Sequence, residues 1–126
     1  MENSLKFYID GEWVEPNTLK KLDVINPADE SVAGTIALGN EKDVDMAVKA
    51  ARKAFASFSL TSVDDRISML EKINDIYKER YGEMVETISK EMGSPIWLSE
   101  AAQAKTGIKN IQETLDALES YEFERP

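Results

Sequence analysis

The chain has 126 residues, and its 15 lysine and arginine residues against 24 aspartate and glutamate residues give a net charge of −9. This charge would be repelled by a phosphate backbone or an anionic bilayer, so we expect neither nucleic acid nor a membrane as a partner. The sequence has no cysteine and no histidine, which excludes disulfides, thiolate or imidazole metal ligands, and a cysteine or Ser/His nucleophile.

The first forty residues are predicted to form β-strands and turns. In the stretch FYIDGEWV, Asp10 and Gly11 supply the two positive-φ residues that a type I′ turn requires. A hairpin closed by this turn would place Tyr8 opposite Trp13. The turn at Asn26-Pro27-Ala28-Asp29 separates two further strands, because proline disfavours helix at the residue before it. The predicted β-hairpin segments are about 7–14, 21–25 and 31–38.

Helices are predicted for the rest of the chain from apolar residues that recur at spacings of three and four. Asn40 caps the first helix, and Asp43 lies at the positive end of its dipole. Ser62 and Asp65 repeat this pattern at the second helix, in which Gly82 marks a break. The predicted helices cover about 41–57 and about 63–90, with the break near 82.

The last predicted helix covers about 95–120. Gly93 suits the end of the preceding helix, Ser94 a cap, and Pro95 the first helical residue. An apolar seam then follows at Ala101, Ala104, Ile108, Ile111, Leu115 and Leu118. The alternation at 121–124 predicts the start of a strand. The fold class is therefore an α-rich α+β arrangement that opens with β-hairpins.

The seam at 101–118 leaves two interpretations open. It could pack inside the chain, or it could bind a partner helix or a second copy as a short coiled coil. It covers fewer than three heptads and contains Gly107, which favours packing inside the chain. The alternative function is a stand-alone helical interaction or dimerisation module that uses this seam.

No catalytic or cofactor-binding motif emerges from the residues themselves. The glycines form neither of the phosphate-binding patterns, G-x-G-x-x-G and G-x-x-x-x-G-K-[ST]. Asp43 and Asp45 superficially open a calcium loop, and Asp64 with Asp65 could form an acid/base pair, but both pairs stand in a predicted first helical turn. Their expected role is helix stabilisation.

Five segments in order resemble the opening of an NAD(P)-dependent aldehyde dehydrogenase. They are Y-I-D-G-E-W-V at 8–14, V-I-N-P-A at 24–28, D-V-D-M-A-V-K-A-A-R-K-A-F at 43–55, R-I-S-M-L-E-K-I at 66–73 and E-M-G-S-P at 91–95. Each segment alone is a weak signal, but five in the correct order are specific. The resemblance covers nearly the whole chain.

The resemblance implies an oxidoreductase whose subunits are several times longer than this chain. Residues 1–126 would be the N-terminal segment, the leading part of the cofactor-binding domain within the α/β fold of the family. A cysteine thiohemiacetal would pass hydride to NAD or NADP, and water would hydrolyse the resulting thioester to a carboxylic acid. The catalytic and cofactor-binding residues would all lie beyond this chain, so the segment alone is expected to be inactive.

The implied role of the segment is scaffolding within a subunit that forms a homo-oligomer and acts on an aldehyde. Such a scaffold should carry apolar surfaces that this chain cannot cover by itself. Many members of the family also hold a monovalent cation. By that resemblance its ligands here would be the Ile25 carbonyl, the Glu91 carboxylate and a residue beyond the chain.

The expected location is the cytoplasm. No apolar run approaches the length of about 18 residues that a membrane span requires. The segment MENSLKFYID lacks the basic start and apolar core of a signal peptide.

Overall fold

The computed structural model describes residues 3–123, which divide into two compact units between Leu60 and Thr61. The first unit contains strands β1 (Phe7–Ile9), β2 (Glu12–Val14), β3 (Lys21–Ile25) and β4 (Val32–Ala37) and helix α1 (Glu41–Phe58). The second contains helices α2 (Val63–Glu79), α3 (Tyr81–Met92), α4 (Ile96–Leu98) and α5 (Ala104–Leu118), with a π-helical segment at Ser99–Gln103. The predicted fold class, helix-rich with β-hairpins at the start, is confirmed.

The first hairpin has the predicted turn and register. Asp10 and Gly11 both have positive φ, at 54° and 85°. Strands β1 and β2 are antiparallel, and Tyr8 lies opposite Trp13 with their ring centroids 5.2 Å apart. The hairpin packs against α1, where Lys53 Nζ lies 3.2 Å from Asp10 Oδ2. This helix gives the isolated pair of strands the cover that a lone hairpin needs.

The second sheet is an antiparallel pair of β3 and β4, separate from the first hairpin. Its register shifts between Val24 and Ile25, beside the turn that connects the two strands. Within this turn the Asn26 side chain accepts a hydrogen bond from Ala28 N, and Glu30 has a φ of 60°. The observed strands reproduce the predicted segments to within a residue or so at each end.

Both predicted N-caps are present, and each forms a capping box. Asn40 Oδ1 accepts from Lys42 N and Asp43 N, while Asp43 Oδ2 accepts from Asn40 N. Ser62 Oγ accepts from Asp65 N at 3.0 Å, and Asp65 Oδ2 accepts from Ser62 N at 3.0 Å. These bonds satisfy backbone donors that the first turn of a helix leaves without partners.

The predicted break in the second helix lies at Arg80, which separates α2 from α3 two residues before Gly82. Arg80 N–H donates to the Ile76 carbonyl and closes α2. The Arg80 guanidinium then contacts the Glu83 carboxylate at 2.7 Å in the first turn of α3. The break therefore coincides with an ion pair, and Gly82 stands inside the new helix.

The last helix differs from its prediction in three respects. Gly93 ends α3 in the left-handed conformation as expected, but Pro95 occupies the cap position and Ser94 makes no cap hydrogen bond. A π-helical segment interrupts the helix. Residues 121–123 are not a strand, and Glu124, on which the strand prediction also fell, lies outside the described residues. The hydroxyl of Ser94 instead contacts the side chains of Ser99 and Gln103 in the π segment.

The apolar core of the described residues is small. Val85 of α3 and Ala104 and Leu115 of α5 are buried, and α5 packs against α2 and α3 within the second unit. The seam predicted at 101–118 therefore lies largely inside this unit, although Ala101 at its start is exposed.

Candidate functional site

The described residues assemble no catalytic centre. Residues 3–123 contain no group of three or more histidine, cysteine, aspartate or glutamate side chains that could hold a metal ion. The acidic residues that might have formed an acid/base pair stand at helix starts. The absence of catalytic residues from this chain stays a prediction.

Asp43 is the most buried acidic side chain among residues 3–123, 4% exposed. Its Oδ1 accepts from Asn17 Nδ2 at 2.8 Å and from Asn17 N at 3.0 Å, in addition to the capping bond from Asn40 N. The Asn17 side chain, more than any other donor, lowers the pKa of Asp43 below its ordinary value of 3.8. A carboxylate held by three donors stays ionised and fixes the loop at Asn17 to the start of α1.

Asp65 serves the second helix in the same way. The hydroxyl of Ser62 donates to Asp65 Oδ2 at 2.7 Å and lowers the pKa of Asp65. A carboxyl group that acts as a general acid at neutral pH has a raised pKa, whereas both of these aspartates have a lowered one and accept capping hydrogen bonds. Asp43 and Asp65 are therefore structural residues.

The two residues expected to hold a monovalent cation lie in different units. Ile25 is the last residue of β3, beside the register shift. Glu91 is exposed in the last turn of α3, and among the described residues its carboxylate makes no hydrogen bond or ion pair. Both residues supply oxygen donors of the kind that hard cations prefer. The shared cation site stays a prediction.

A partly buried polar cluster surrounds the π-helical segment, and the sequence did not reveal it. Ser99 is fully buried, and its Oγ lies 2.7 Å from Ser94 Oγ. Both hydroxyls contact Gln103 Oε1, at 2.8 Å from Ser94 and 3.0 Å from Ser99. Ser89 Oγ donates to the Ser94 carbonyl at 2.8 Å. These groups satisfy one another, and none of them is a base that could activate a serine nucleophile.

Two tyrosine side chains hold the other side of this segment. The Tyr77 hydroxyl donates to the Ala104 carbonyl at 2.9 Å, and the Tyr81 hydroxyl donates to the Glu100 carbonyl. Their rings meet edge to face with centroids 6.5 Å apart. Burial, and secondarily the neighbouring Tyr81, raises the pKa of Tyr77 above 10.0. The Tyr77 phenol thus remains a hydrogen-bond donor at neutral pH.

Many large apolar side chains are exposed in both units. In the first unit α1 carries an apolar stripe that includes Val44, Val48, Phe55 and Phe58. This stripe is uncovered, with Phe55 67% exposed and Val44 59% exposed. In the second unit Trp97 is 65% exposed, beside the exposed residues Ile96 and Met92. The predicted uncovered apolar surfaces are confirmed. Exposed apolar surfaces of this kind are typical of interaction sites.

A shallow cavity of about 360 Å³ lies between the first hairpin and α1. Its lining is mostly apolar, and its floor is formed by alanines of α1. The lining residues are Tyr8, Ile9, Asp10, Gly11, Ala47, Ala50, Ala51 and Ala54. This lining lacks a convergent set of polar groups that would orient a small ligand.

None of the helices within residues 3–123 is both long and apolar enough to cross a membrane.

Comparison with known proteins identifies the relatives of this chain. The sequence profile of the aldehyde dehydrogenase family matches residues 13–125. A Staphylococcus aureus (strain bovine RF122 / ET3-1) protein, named provisionally as an aldehyde dehydrogenase, is 44% identical over 98% of this chain. The chain spans only 26% of the length of that curated relative.

Solved structures give the same result for the fold. An aldehyde dehydrogenase from Bartonella henselae is 42% identical with a TM-score of 0.91, over 94% of this chain and 25% of that one. A variant of aldehyde dehydrogenase C from Pseudomonas syringae, in complex with NAD⁺ and octanal, is 38% identical with a TM-score of 0.94. That match covers 99% of this chain and 26% of the Pseudomonas chain.

Proposed function

This chain belongs to the aldehyde dehydrogenase family, and we propose that it is the N-terminal scaffold segment of an enzyme that oxidises an aldehyde to a carboxylic acid with NAD or NADP. The observation that carries this proposal is the unequal coverage of the match. Nearly all of the chain aligns with the S. aureus relative at 44% identity, yet the alignment occupies only 26% of that relative.

The scaffold role agrees with the chemistry of the described residues. Aldehyde oxidation through a thiohemiacetal requires a cysteine, and this chain contains none. The cofactor phosphates require a cradle of backbone N–H groups, and no glycine motif here supplies one. The catalytic thiol and the NAD(P) site are therefore assigned to protein outside these residues, and the chain supplies surfaces on which that protein packs.

The exposed apolar side chains support this role. α1 buries none of its apolar residues in this structure, although such a stripe normally faces a core. Trp97 and Ile96 form a second uncovered surface. In the proposed enzyme both surfaces contact the remainder of the subunit or another subunit of a homo-oligomer.

A segment exchange tests the proposal. Residues 1–126 would replace the matching segment of the wild-type Pseudomonas enzyme, and NADH formation from octanal would be followed by absorbance. We expect the chimera to be soluble and active, and this chain alone to be inactive. An inactive chimera that folds, or oxidation of octanal by the 126 residues alone, would overturn the proposal.

Two substitutions in α5 provide matched controls for the exchange. Leu115 is 8% exposed and packs inside the second unit, whereas the adjacent Thr114 is exposed. Leu115→Asp should abolish assembly and activity of the chimera, because it buries an unpaired charge. Thr114→Asp should leave both intact. Loss of both with Thr114→Asp would show that the exposed face of α5, rather than its buried side, controls assembly.

The interaction-module alternative makes a different prediction from the same seam. It requires the apolar residues at 101–118 to be available to a partner, whereas Ala104 is fully buried and Leu115 nearly so. A folded Leu115→Asp chain that has lost self-association would favour the module. Loss of folding favours the scaffold.

The monovalent cation stays part of the proposal. The Ile25 carbonyl and the Glu91 carboxylate remain its suggested ligands within this chain. Activity of the chimera with Glu91→Gln would be compared with the parent chimera in potassium chloride and in choline chloride. A cation site predicts that the parent loses activity in choline and that the variant no longer distinguishes the two salts.

A further inference from the structure

We propose that the hydroxyl group of Tyr81 sets the register of the last helix by holding Ser99–Gln103 in its π-helical form. The inference concerns how α4 and α5 are joined, and it does not depend on the proposed enzyme activity. It rests on which carbonyl each donor in this segment uses.

The backbone and the tyrosine use neighbouring carbonyls. The Ala104 N–H donates to the Ser99 carbonyl, five residues earlier, as in a π-helix. In an α-helix the same N–H would donate to the residue four positions earlier, which is Glu100. The Glu100 carbonyl instead accepts from the Tyr81 hydroxyl. The tyrosine therefore bonds to the acceptor that the α-helical register would use.

A second tyrosine supports the same arrangement one turn later. Tyr77 and Tyr81 are four positions apart across the break at Arg80, and Glu100 and Ala104 are also four positions apart. The two phenols therefore meet two carbonyls with the same spacing. Tyr77 approaches this closely because residue 107 is glycine. A β-carbon at Gly107 would lie 2.7 Å from the phenol oxygen of Tyr77.

The opposite side of the segment is held by side chains of the segment itself. Ser99 and Gln103 stand at its two ends, and both contact the Ser94 hydroxyl. Ser99 is fully buried, so a rotation of its side chain out of this cluster would expose its hydroxyl or leave it without a partner. The π form thus satisfies the cluster as well as the tyrosines.

The register decides where the first turn of this helix points. Successive residues of an α-helix are separated by a rotation of about 100°. A change of the π segment to α-helical hydrogen bonding would therefore turn α4 by about that angle relative to α5. α4 carries Ile96 and Trp97, which form part of the exposed apolar surface of the second unit. Tyr81 would therefore fix the direction of that surface against the packed face of α5.

The proposal is tested by identifying the carbonyl that accepts a hydrogen bond from the Ala104 N–H in the full chain. Couplings across hydrogen bonds, measured by NMR on the isotope-labelled protein, identify the carbonyl bonded to each amide. In the unmodified chain we expect a coupling from Ala104 N to the Ser99 carbonyl carbon. In Tyr81→Phe this coupling should be lost, and a coupling to the Glu100 carbonyl carbon should replace it.

Tyr121→Phe provides a control tyrosine substitution outside the segment, and it should leave the Ser99 coupling unchanged. Persistence of the Ser99 coupling in Tyr81→Phe would overturn the proposal. If Tyr81→Phe does not fold, a fluorinated tyrosine at position 81 can be ionised at mild pH in the folded chain. The phenolate cannot donate, so the same exchange of couplings is expected, and its absence would equally overturn the proposal.

Discussion

Gly107 of α5 lies so close to the ring of Tyr77 in α2 that a β-carbon at position 107 would be 2.7 Å from both Cζ and the phenol oxygen. Two heavy atoms less than about 3 Å apart are closer than packing tolerates, so an added methyl group would displace the ring. The displaced ring would also lose the hydrogen bond from its hydroxyl to the Ala104 carbonyl. Gly107 interrupts the apolar seam at 101–118, but its missing side chain is what allows α5 to pack closely against Tyr77 of α2.

Gly107→Ala should destabilise the second unit. Alanine in place of a helical glycine ordinarily stabilises by about 0.5–1 kcal/mol, but overpacking costs about 1–3 kcal/mol. We expect a net loss of about 1 kcal/mol in the free energy of unfolding, measured by urea denaturation. Gly82→Ala is the matched control, because a β-carbon there would meet nothing within 4 Å, and it should stabilise the protein. Equal effects of the two substitutions would contradict the close approach to Tyr77.

Stability should also fall at alkaline pH because of Tyr77. Its folded-state pKa is raised above 10.0, chiefly by burial and then by Tyr81, so folding favours the neutral phenol. This contribution is complete below pH 10 and is lost as the pH rises, because the unfolded chain ionises first. Unfolding free energies between pH 8 and pH 11 should therefore decline less steeply in Tyr77→Phe than in the unmodified chain. The Tyr121→Phe chain should keep the steeper decline, and identical slopes in all three would contradict this explanation.

The opposite sign applies to Asp43 at acid pH. Hydrogen bonds from Asn17 lower its pKa below 3.8, so its contribution is present above that pH and is lost as the pH falls through the lowered pKa. In Asn17→Ala the side-chain donor at 2.8 Å disappears while the backbone donors remain. The Asp43 pKa, followed by carbon-detected NMR, should move upward toward 3.8. Thr18→Ala is a control in the same loop and should not move it; an unchanged pKa in Asn17→Ala would assign the shift to the backbone donors.

The features that sequence predicted correctly depend on neighbouring residues. The Asp10-Gly11 turn and the capping box of Ser62 with Asp65 each close within a few positions, so local residue types determine them. The π segment depends on Tyr81 reaching Glu100, 19 positions later, and no local pattern encodes that contact. The cap predicted at Ser94 was wrong, and the Ser94 hydroxyl instead contacts the side chains of Ser99 and Gln103.

The sequence conveyed the family more readily than the site. Five motifs in the correct order indicated the family, because the ordered set is specific although each motif alone is common. The predicted ligands Ile25 and Glu91 came only from that resemblance, and they stand in different compact units. The uncovered apolar surface of α1 was expected from the same resemblance, because a leading segment carries apolar surfaces that it cannot cover by itself.

Asn74 of α2 offers a substitution that should increase stability. Its side chain is 2% exposed, and its Oδ1 is buried with no hydrogen-bond partner among the described residues. A buried unsatisfied acceptor costs about 1–3 kcal/mol, whereas an apolar side chain of similar volume carries no such cost. Asn74→Leu should therefore raise the free energy of unfolding by about 1 kcal/mol in urea denaturation. Asn110→Leu, at an exposed position of α5, should change it by less than about 0.5 kcal/mol. A clear loss of stability in Asn74→Leu would mean that the amide oxygen is hydrogen-bonded in solution and contributes to the packing of α2 against α5.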